Sequence, residues 1–441
     1  MAQDKPFMVV IVGGSIAGLS LASMLQANNI DYVVLETYTD IAPQVGASIG
    51  LLPHGNRILD QLGALDRLMT LSILIDNFTF RNDSGNPIAA CHDLLTSYGH
   101  GFPVIFLDRQ TVLQVLYHNI QDKSKVLLGN RVTKVVVTDH DATAITAEGL
   151  KYTGDMVVGA DGVHSSVRNE MWKIASKLKP GLVRTAEAQE VKCDYTCIFG
   201  ISKSCPGVRP GDMNSVLRDK ASYLAIGGSQ GRTYWFRFQK LPKRLYGSEI
   251  PRYTPEDVDR TMSELIKNKA SVSMTPLVEH VYSKWHFGRV TTVGDSCHKF
   301  HPIGGHGGND AIETGAALTN LLVEKLGSSS TGHLTTGQID DIFSCVQELR
   351  HKRTIDILNF LALNLLPLFD NEDVTFNFPC KIPAGEKLNM LSVRRGERLI
   401  AFKDELLRDP ESRGPYQWLL ISLYVISAAA VYYGMWILPE S

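Results

Sequence analysis

No block of basic residues stands out in the 441-residue sequence: 44 Lys and Arg face 46 Asp and Glu, a formal net charge of −2. Nucleic acid is therefore not an expected partner. The seven cysteines, Cys91, Cys193, Cys197, Cys205, Cys297, Cys345 and Cys380, are odd in number and scattered. That pattern argues against a disulfide framework and fits a reducing compartment. Cys193 and Cys197 have no second pair and no histidine at zinc spacing, so no metal is expected and they read as buried thiols. The opening MAQDKPF leads into an apolar run too short for a signal peptide. Internal repeats are absent.

What remains is an ordinary globular composition, 44% hydrophobic and 20% charged, on a chain long enough for two or three domains. Residues 8–12 read as a buried parallel strand, 16–27 as a helix, and DYVVLE, ending at Glu36, as a second strand, which makes a βαβ opening. GNRILDQLGALDRLM and RQTVLQVLYHNI have helical spacing. TKVVVTDHDATAITAEG and KYTGDMVVGADG alternate as strands. From about 190 to 285 short aromatic strands such as CIFGIS, SYLAIGG and TYWFRFQKL predict a mostly antiparallel sheet. RVTTVGD predicts a further strand of the first unit, followed by a glycine-rich loop and a helix.

The fold class expected is α/β: a Rossmann-type domain in two parts (1–189 and 286–330), an inserted antiparallel β-sheet domain (190–285), a helical region (331–412) and a transmembrane helix (416–438). Tyr416 to Leu438 holds no charge and is long enough to cross a bilayer. Trp418, Tyr432, Tyr433 and Trp436 lie toward its ends, as interfacial aromatics do. Lys403, Arg408 and Arg413 precede it, so the expectation is a single-pass anchor in the endoplasmic reticulum with the catalytic part cytosolic. IDILNFLALNLLPLF, 355–369, is too short to span and predicts a core or surface-lying helix.

The stretch VVIVGGSIAGLS carries Gly13, Gly14 and Gly18, with Ser15 where a dinucleotide fingerprint has its middle glycine. Gly13 permits the tight turn from strand to helix, Gly18 lets helix pack close to strand, and the helix N-terminus favours a phosphate. Glu36 ends the second strand, where an acid accepts hydrogen bonds from an adenosine ribose and disfavours a 2′-phosphate. The ligand is then FAD or NAD. Two later segments favour FAD. VVGADGVHSSVR holds Asp161, Gly162, Ser165 and Arg168. TTVGDSCHKFHPIGGHGGNDAIETGAAL holds Gly294, Asp295, His298 and Pro302. Asp295 suits the hydroxyls of a ribityl chain, and Gly304, Gly305, Gly307 and Gly308 let backbone approach a flat ring.

These three signatures, in this order, resemble the group A FAD-dependent monooxygenases, the fold of para-hydroxybenzoate hydroxylase, over roughly residues 7 to 330. APQVGASIGLLPHGNRILDQLG and YWFRFQKLP are more closely similar to the membrane-associated fungal epoxidases of the paxilline type, which act on prenyl chains in terpenoid pathways. The resemblance implies FAD contacts at Glu36, Gly50, Arg109, Asp295 and Gly308, with Asp161 supporting the site through structure. Ser15 departs from the pattern, and so does Glu313-Thr314, where many relatives have Asp-Ala.

The resemblance also implies the chemistry. NADPH docks transiently and reduces FAD, and reduced flavin with O2 gives a C4a-hydroperoxide that an alkene or an electron-rich ring attacks. Since the cofactor carries the reaction, neither a catalytic triad nor a metal is needed. The implied activity is epoxidation of a terminal prenyl double bond, farnesyl or geranylgeranyl, on a meroterpenoid or indole-diterpene. The alternative is hydroxylation of a phenolic polyketide. Tyr195, Arg218, Tyr223 and Tyr234 of the central sheet are the candidates for substrate contact, and membrane lipid is an expected partner through the tail.

Overall fold

The structure is a computed structural model that describes residues 6–43, 48–91, 102–184, 187, 191–203, 205–218, 220–253, 269–360 and 388. A six-stranded sheet forms its centre, in the order His286–Phe287, Val290–Thr292, Met156–Gly159, Met8–Val12, Asp31–Leu35, Val126–Leu127. All neighbours are parallel except the first pair. Met8–Val12 is buried but for its first residue, as a strand covered on both faces must be, which explains its unbroken apolar run.

Register places the ends of four strands side by side. Val12 is level with both Leu35 and Gly159, and Gly159 with Thr292. The segments that follow, Gly13–Ser15, Glu36, Ala160–Gly162 and Val293–Asp295, therefore emerge at one edge of the sheet. The carboxyl ends of parallel strands are where open α/β sheets bind ligands.

The described residues hold seven helices: α1 (Ile16–Ala27), α2 (Pro53–Gln61), α3 (Leu65–Leu71), α4 (Arg109–Asn119), α5 (Ser166–Leu178), α6 (His306–Gly327) and α7 (Thr336–Phe360). The stretch expected as one helix, 55–69, is two. Gly63 at φ +71° takes a left-handed conformation that ends the first. Leu21 and Met24 of α1 and Ala316 and Leu318 of α6 share one buried cluster.

The second large sheet has eight strands, in the order 298–299, 269–281, 192–203, 232–246, 221–227, 212–218, 77–81, 87–91. Its middle is antiparallel, as the aromatic strands predict. The last two strands, Asn77–Arg81 and Pro87–Cys91, come from far earlier in the chain. Asn77–Arg81 lies parallel to Asp212–Arg218, with Arg81 donating to Asn214 Oδ1 at 3.2 Å. Cys193, Cys197, Cys205, Cys297 and Cys345 are free thiols.

The expected membrane anchor is corrected. Among the described residues no helix is long and apolar enough to cross a membrane. The two longest, α6 and α7, carry Asp310, Glu313, Glu324 and Lys325, and Asp340, Asp341, Glu348, Arg350, Lys352 and Arg353, charges that hydrocarbon would not accept. The expected span 416–438 lies outside the described residues, as does the larger part of 355–369.

Candidate functional site

The four strand ends open into a cavity of about 880 Å³ that reaches the face of the eight-stranded sheet. Of the residues expected at the cofactor, Gly13, Ser15, Glu36, Gly50, Arg109, Asp161, Asp295, Pro302, Gly305, Gly307 and Gly308 border it. Gly14 and Gly18 do not; they shape the turn beneath.

Gly13 has φ +107°, and a Cβ there would lie 2.4 Å from the Ala160 carbonyl oxygen. A Cβ on Gly18 would meet the Gly13 carbonyl oxygen at 1.9 Å. Neither position tolerates a side chain, so the turn is as tight as the chain permits. Glu36 is buried and accepts from the Gly14 N–H at 2.5 Å and the Tyr38 N–H at 2.8 Å. It locks the turn while bordering the cavity. Ser15 stands at the N-cap of α1 but does not cap it. Its Oγ instead accepts from Arg109 Nη2 at 2.7 Å. The first N–H groups of α1 are thus free of a side-chain cap, and with the helix dipole they suit an anion.

Arg109 begins α4 at the end of strand Ile105–Asp108. Burial pulls its guanidinium below the usual value, while Asp295 and Glu36 push back. Asp295 is itself opposed by burial, but Lys299 at 2.5 Å overrides that and holds its carboxyl below the ordinary range. Lys299, not singled out in the sequence, also borders the cavity. Asp161 accepts from Ser165 Oγ at 2.5 Å and from the Ser166 and Val167 N–H groups at 2.7 and 3.1 Å. It braces the start of α5. Ser296 Oγ accepts from the Gly162 N–H at 3.0 Å and donates to Asp161 Oδ1 at 3.3 Å, which ties two of the signatures together.

The glycine loop leads into α6, whose backbone at Gly307 and Gly308 faces the cavity. Asn309 is the residue the sequence reading missed here. Fully buried, it donates to the Gly50 and Gly305 carbonyls at 3.0 and 2.7 Å and accepts from the Leu52 N–H at 2.9 Å. It staples the Gly50 strand to the glycine turn. Behind the turn, ligating atoms of His54, His306 and Asp310 lie within 4.8 Å of one another. Asp310 is already paired with Arg350 at 2.9 Å, and the positive helix end and the guanidinium both oppose a cation there.

The far end of the cavity is aromatic. Phe78, Phe106, Phe199, Phe236 and Phe238 border it with Met213, Leu224 and Ile303; Phe236 and Phe238 stack at 6.0 Å between centroids. Alternation along TYWFRFQKL carries the signal, since Tyr234, Phe236 and Phe238 share a face. The polar candidates lie elsewhere. Arg218 is exposed and pairs with Asp83 at 2.6 Å. Tyr223 precedes Leu224, which borders the cavity, so the pleat turns it to the opposite face. Tyr195 is buried and forms a T-shaped pair with His301, 5.3 Å between ring centroids. Tyr234 is buried against Phe106 at 5.3 Å. None of the four borders the cavity.

A glycine cradle that a Cβ would fill, an uncapped helix end beside a half-buried arginine, and carboxylates at two strand ends fit a long cofactor with a pyrophosphate, hydroxyls and a flat ring. The comparisons agree. Residues 7–195 and 232–338 match the FAD binding domain family. The FAD-dependent monooxygenase penE of Penicillium thymicola is 39% identical over 366 residues, 80% of this chain and 77% of that one. The FAD-dependent monooxygenase ptmM of Penicillium ochrochloron is 38% identical over 391 residues, 86% and 92% of the two chains. The crystal structure of CtdE with FAD and a substrate superposes with a TM-score of 0.66 at 18% identity, over 82% of this chain and 90% of that one, a likeness of fold. The chain belongs to the FAD binding domain family and is an FAD-dependent monooxygenase.

Proposed function

We propose that the enzyme uses NADPH and O2 to epoxidise the terminal double bond of a prenyl chain, farnesyl or geranylgeranyl, on a meroterpenoid or indole-diterpene. The observation that carries this reading is the far end of the cavity, where phenylalanines, Met213, Leu224 and Ile303 meet with no charged side chain among them. Such a wall holds a hydrocarbon chain and strips water from it.

In this reading Gly13, Ser15, Arg109 and the N-terminus of α1 hold the pyrophosphate. Glu36 accepts from the ribose hydroxyls, Asp295 from those of the ribityl chain, and the Gly304–Gly308 backbone meets the ring. The chemistry that FAD would supply there is activation of O2 after reduction by NADPH, with one oxygen atom going to the alkene and the other to water. The chain contributes position and dryness. Phe236 and Phe238 hold the alkene against the ring, Lys299 keeps Asp295 ionised, and Asn309 keeps the two loops at a fixed separation.

Ring hydroxylation of a phenol calls for a polar group that activates a phenolate. The candidates for that role, Arg218 and Tyr223, do not border the cavity. The test is incubation of the purified protein with NADPH, ¹⁸O2 and a farnesylated phenol. One labelled oxygen at the chain terminus is expected. Label on the ring, or NADPH oxidation indifferent to substrate, overturns the proposal.

A further inference from the structure

Helix α7 lies almost wholly beyond the family match, which ends at residue 338. Yet it delivers two guanidinium groups to the back of the glycine turn. Arg350 is buried and donates to Asp310 Oδ1 at 2.9 Å and Glu313 Oε2 at 2.8 Å. Arg353 donates to both oxygens of Glu313, at 3.0 and 3.2 Å. Asp310 and Glu313 sit in the first two turns of α6 and are fully buried.

The geometry matters because α6 turns its N-terminal end, through Gly307 and Gly308, toward the cavity. That end carries partial positive charge. Two uncompensated carboxylates behind it would cancel the charge at short range in a poorly screened interior. Burial holds His54 and His298 down to about 4, and His306 Nδ1, 3.3 Å from Asp310 Oδ2, adds to the pairing of Asp310, which leaves Glu313 to the two guanidinium groups. The Glu313-Thr314 pair, which departs from the family pattern, is the pair α7 engages: Thr314 Oγ1 lies 3.4 Å from Arg350 Nε and 3.1 Å from His298 Nε2.

We propose that Arg350 and Arg353 of α7 are positioning residues that neutralise Asp310 and Glu313, keep the N-terminus of α6 positive where it faces the flavin, and so set how readily bound FAD is reduced. The inference rests on the reading that the Gly304–Gly308 turn meets the flavin ring. Reduction adds negative charge to the ring, so a positive end favours the reduced form.

The experiment measures the reduction potential of bound FAD against a reference dye in the full-length holoenzyme, together with the Kd for FAD. Arg353→Gln leaves a net negative charge behind the turn and is expected to lower the potential. Glu313→Gln leaves a net positive charge and is expected to raise it, and the double variant is expected to return close to wild type. A purely structural role moves both single variants the same way or neither; either result, with FAD still bound, overturns the inference. If Arg353→Gln does not fold, Glu313→Gln decides alone, and a potential that fails to rise overturns it. Gly308→Leu separates the two readings. Wild-type affinity for FAD in that variant removes the flavin from this turn and overturns the site assignment; weakened FAD there, with unmoved potentials in the charge variants, overturns only the inference about α7.

Discussion

Ser15 and Arg109 stand 94 positions apart in the chain, and the guanidinium of one donates to the hydroxyl of the other at 2.7 Å. The serine that breaks the glycine fingerprint is thus the group that holds Arg109 beside the N-terminus of α1, where the proposed function puts the pyrophosphate. Ser15→Gly and Ser15→Ala are expected to keep the flavin bound but raise its Kd about tenfold, since a hydrogen bond from a charged donor contributes about 1.5–3 kcal/mol and water recovers part of it. Ser15→Thr is expected to restore tight binding. Gly13→Val, which drives a side chain into Ala160, is expected to yield colourless protein. Flavin absorbance and equilibrium dialysis read all four.

The aromatic wall predicts a different signature. Phe236 is only partly buried where it borders the cavity. Phe236→Ala is expected to raise KM for a prenylated substrate about ten- to hundredfold, the loss of about 1.5–3 kcal/mol of apolar contact, while leaving the flavin spectrum unchanged. Steady-state kinetics beside an absorbance scan decides it; a loss of colour places Phe236 at the cofactor instead.

Arg218 offers a contrast. Its pair with Asp83 is half-exposed on both sides, and pairs of that kind contribute about 0–1 kcal/mol. Arg218→Ala is expected to leave kcat, KM and thermal stability within error. A large loss of kcat would return Arg218 to the substrate.

Acid stability follows from four buried histidines. Burial, only partly opposed by Glu313 and Asp310, holds His54 down to about 4 from an ordinary 6.5. It holds His298 to about 4 and His280 and His301 to about 3. Below about 6.5 the unfolded chain takes up protons that the folded chain refuses. The stability these groups contribute is therefore complete above 6.5 and is lost as pH falls toward 4, by up to about 3 kcal/mol for His54 alone. Denaturant midpoints between about pH 7.5 and 4.5 are expected to fall steeply in the wild type and less steeply in His54→Leu. Equal slopes in the two proteins would exclude His54 as a contributor.

The sequence made legible what is local. The Gly13–Gly18 turn, Glu36 at a strand end and the Asp295 loop are each a few residues long, and each is forced by backbone sterics or burial. Alternation likewise revealed the aromatic strands. It was the face of each strand that went unread: Phe236 and Phe238 border the cavity, whereas Tyr223 lies on the side opposite Leu224. A pleat fixes which residues share a side and says nothing about which side meets the cofactor. Asn309, Lys299 and Arg350 stayed hidden for another reason. Their roles come from partners brought near only by the fold, such as the Asn309 link to Gly50 across 259 residues. No window along the chain contains both ends of such a contact.

The parallel seam between Asn77–Arg81 and Asp212–Arg218 has a practical consequence for engineering. The aromatic wall is not the property of one contiguous stretch, because Phe78 on the early strand stands in register with Met213 on the later one. A chimera that transplants residues 190–285 from a relative would therefore graft most of a new aromatic wall onto one strand pair of the old. Exchanging 77–91 in the same step takes both sides of the seam from a single parent, with Phe106 and Ile303 the parts of the wall that stay with the host, and a folded chimera with a new wall is expected only when both pieces travel together.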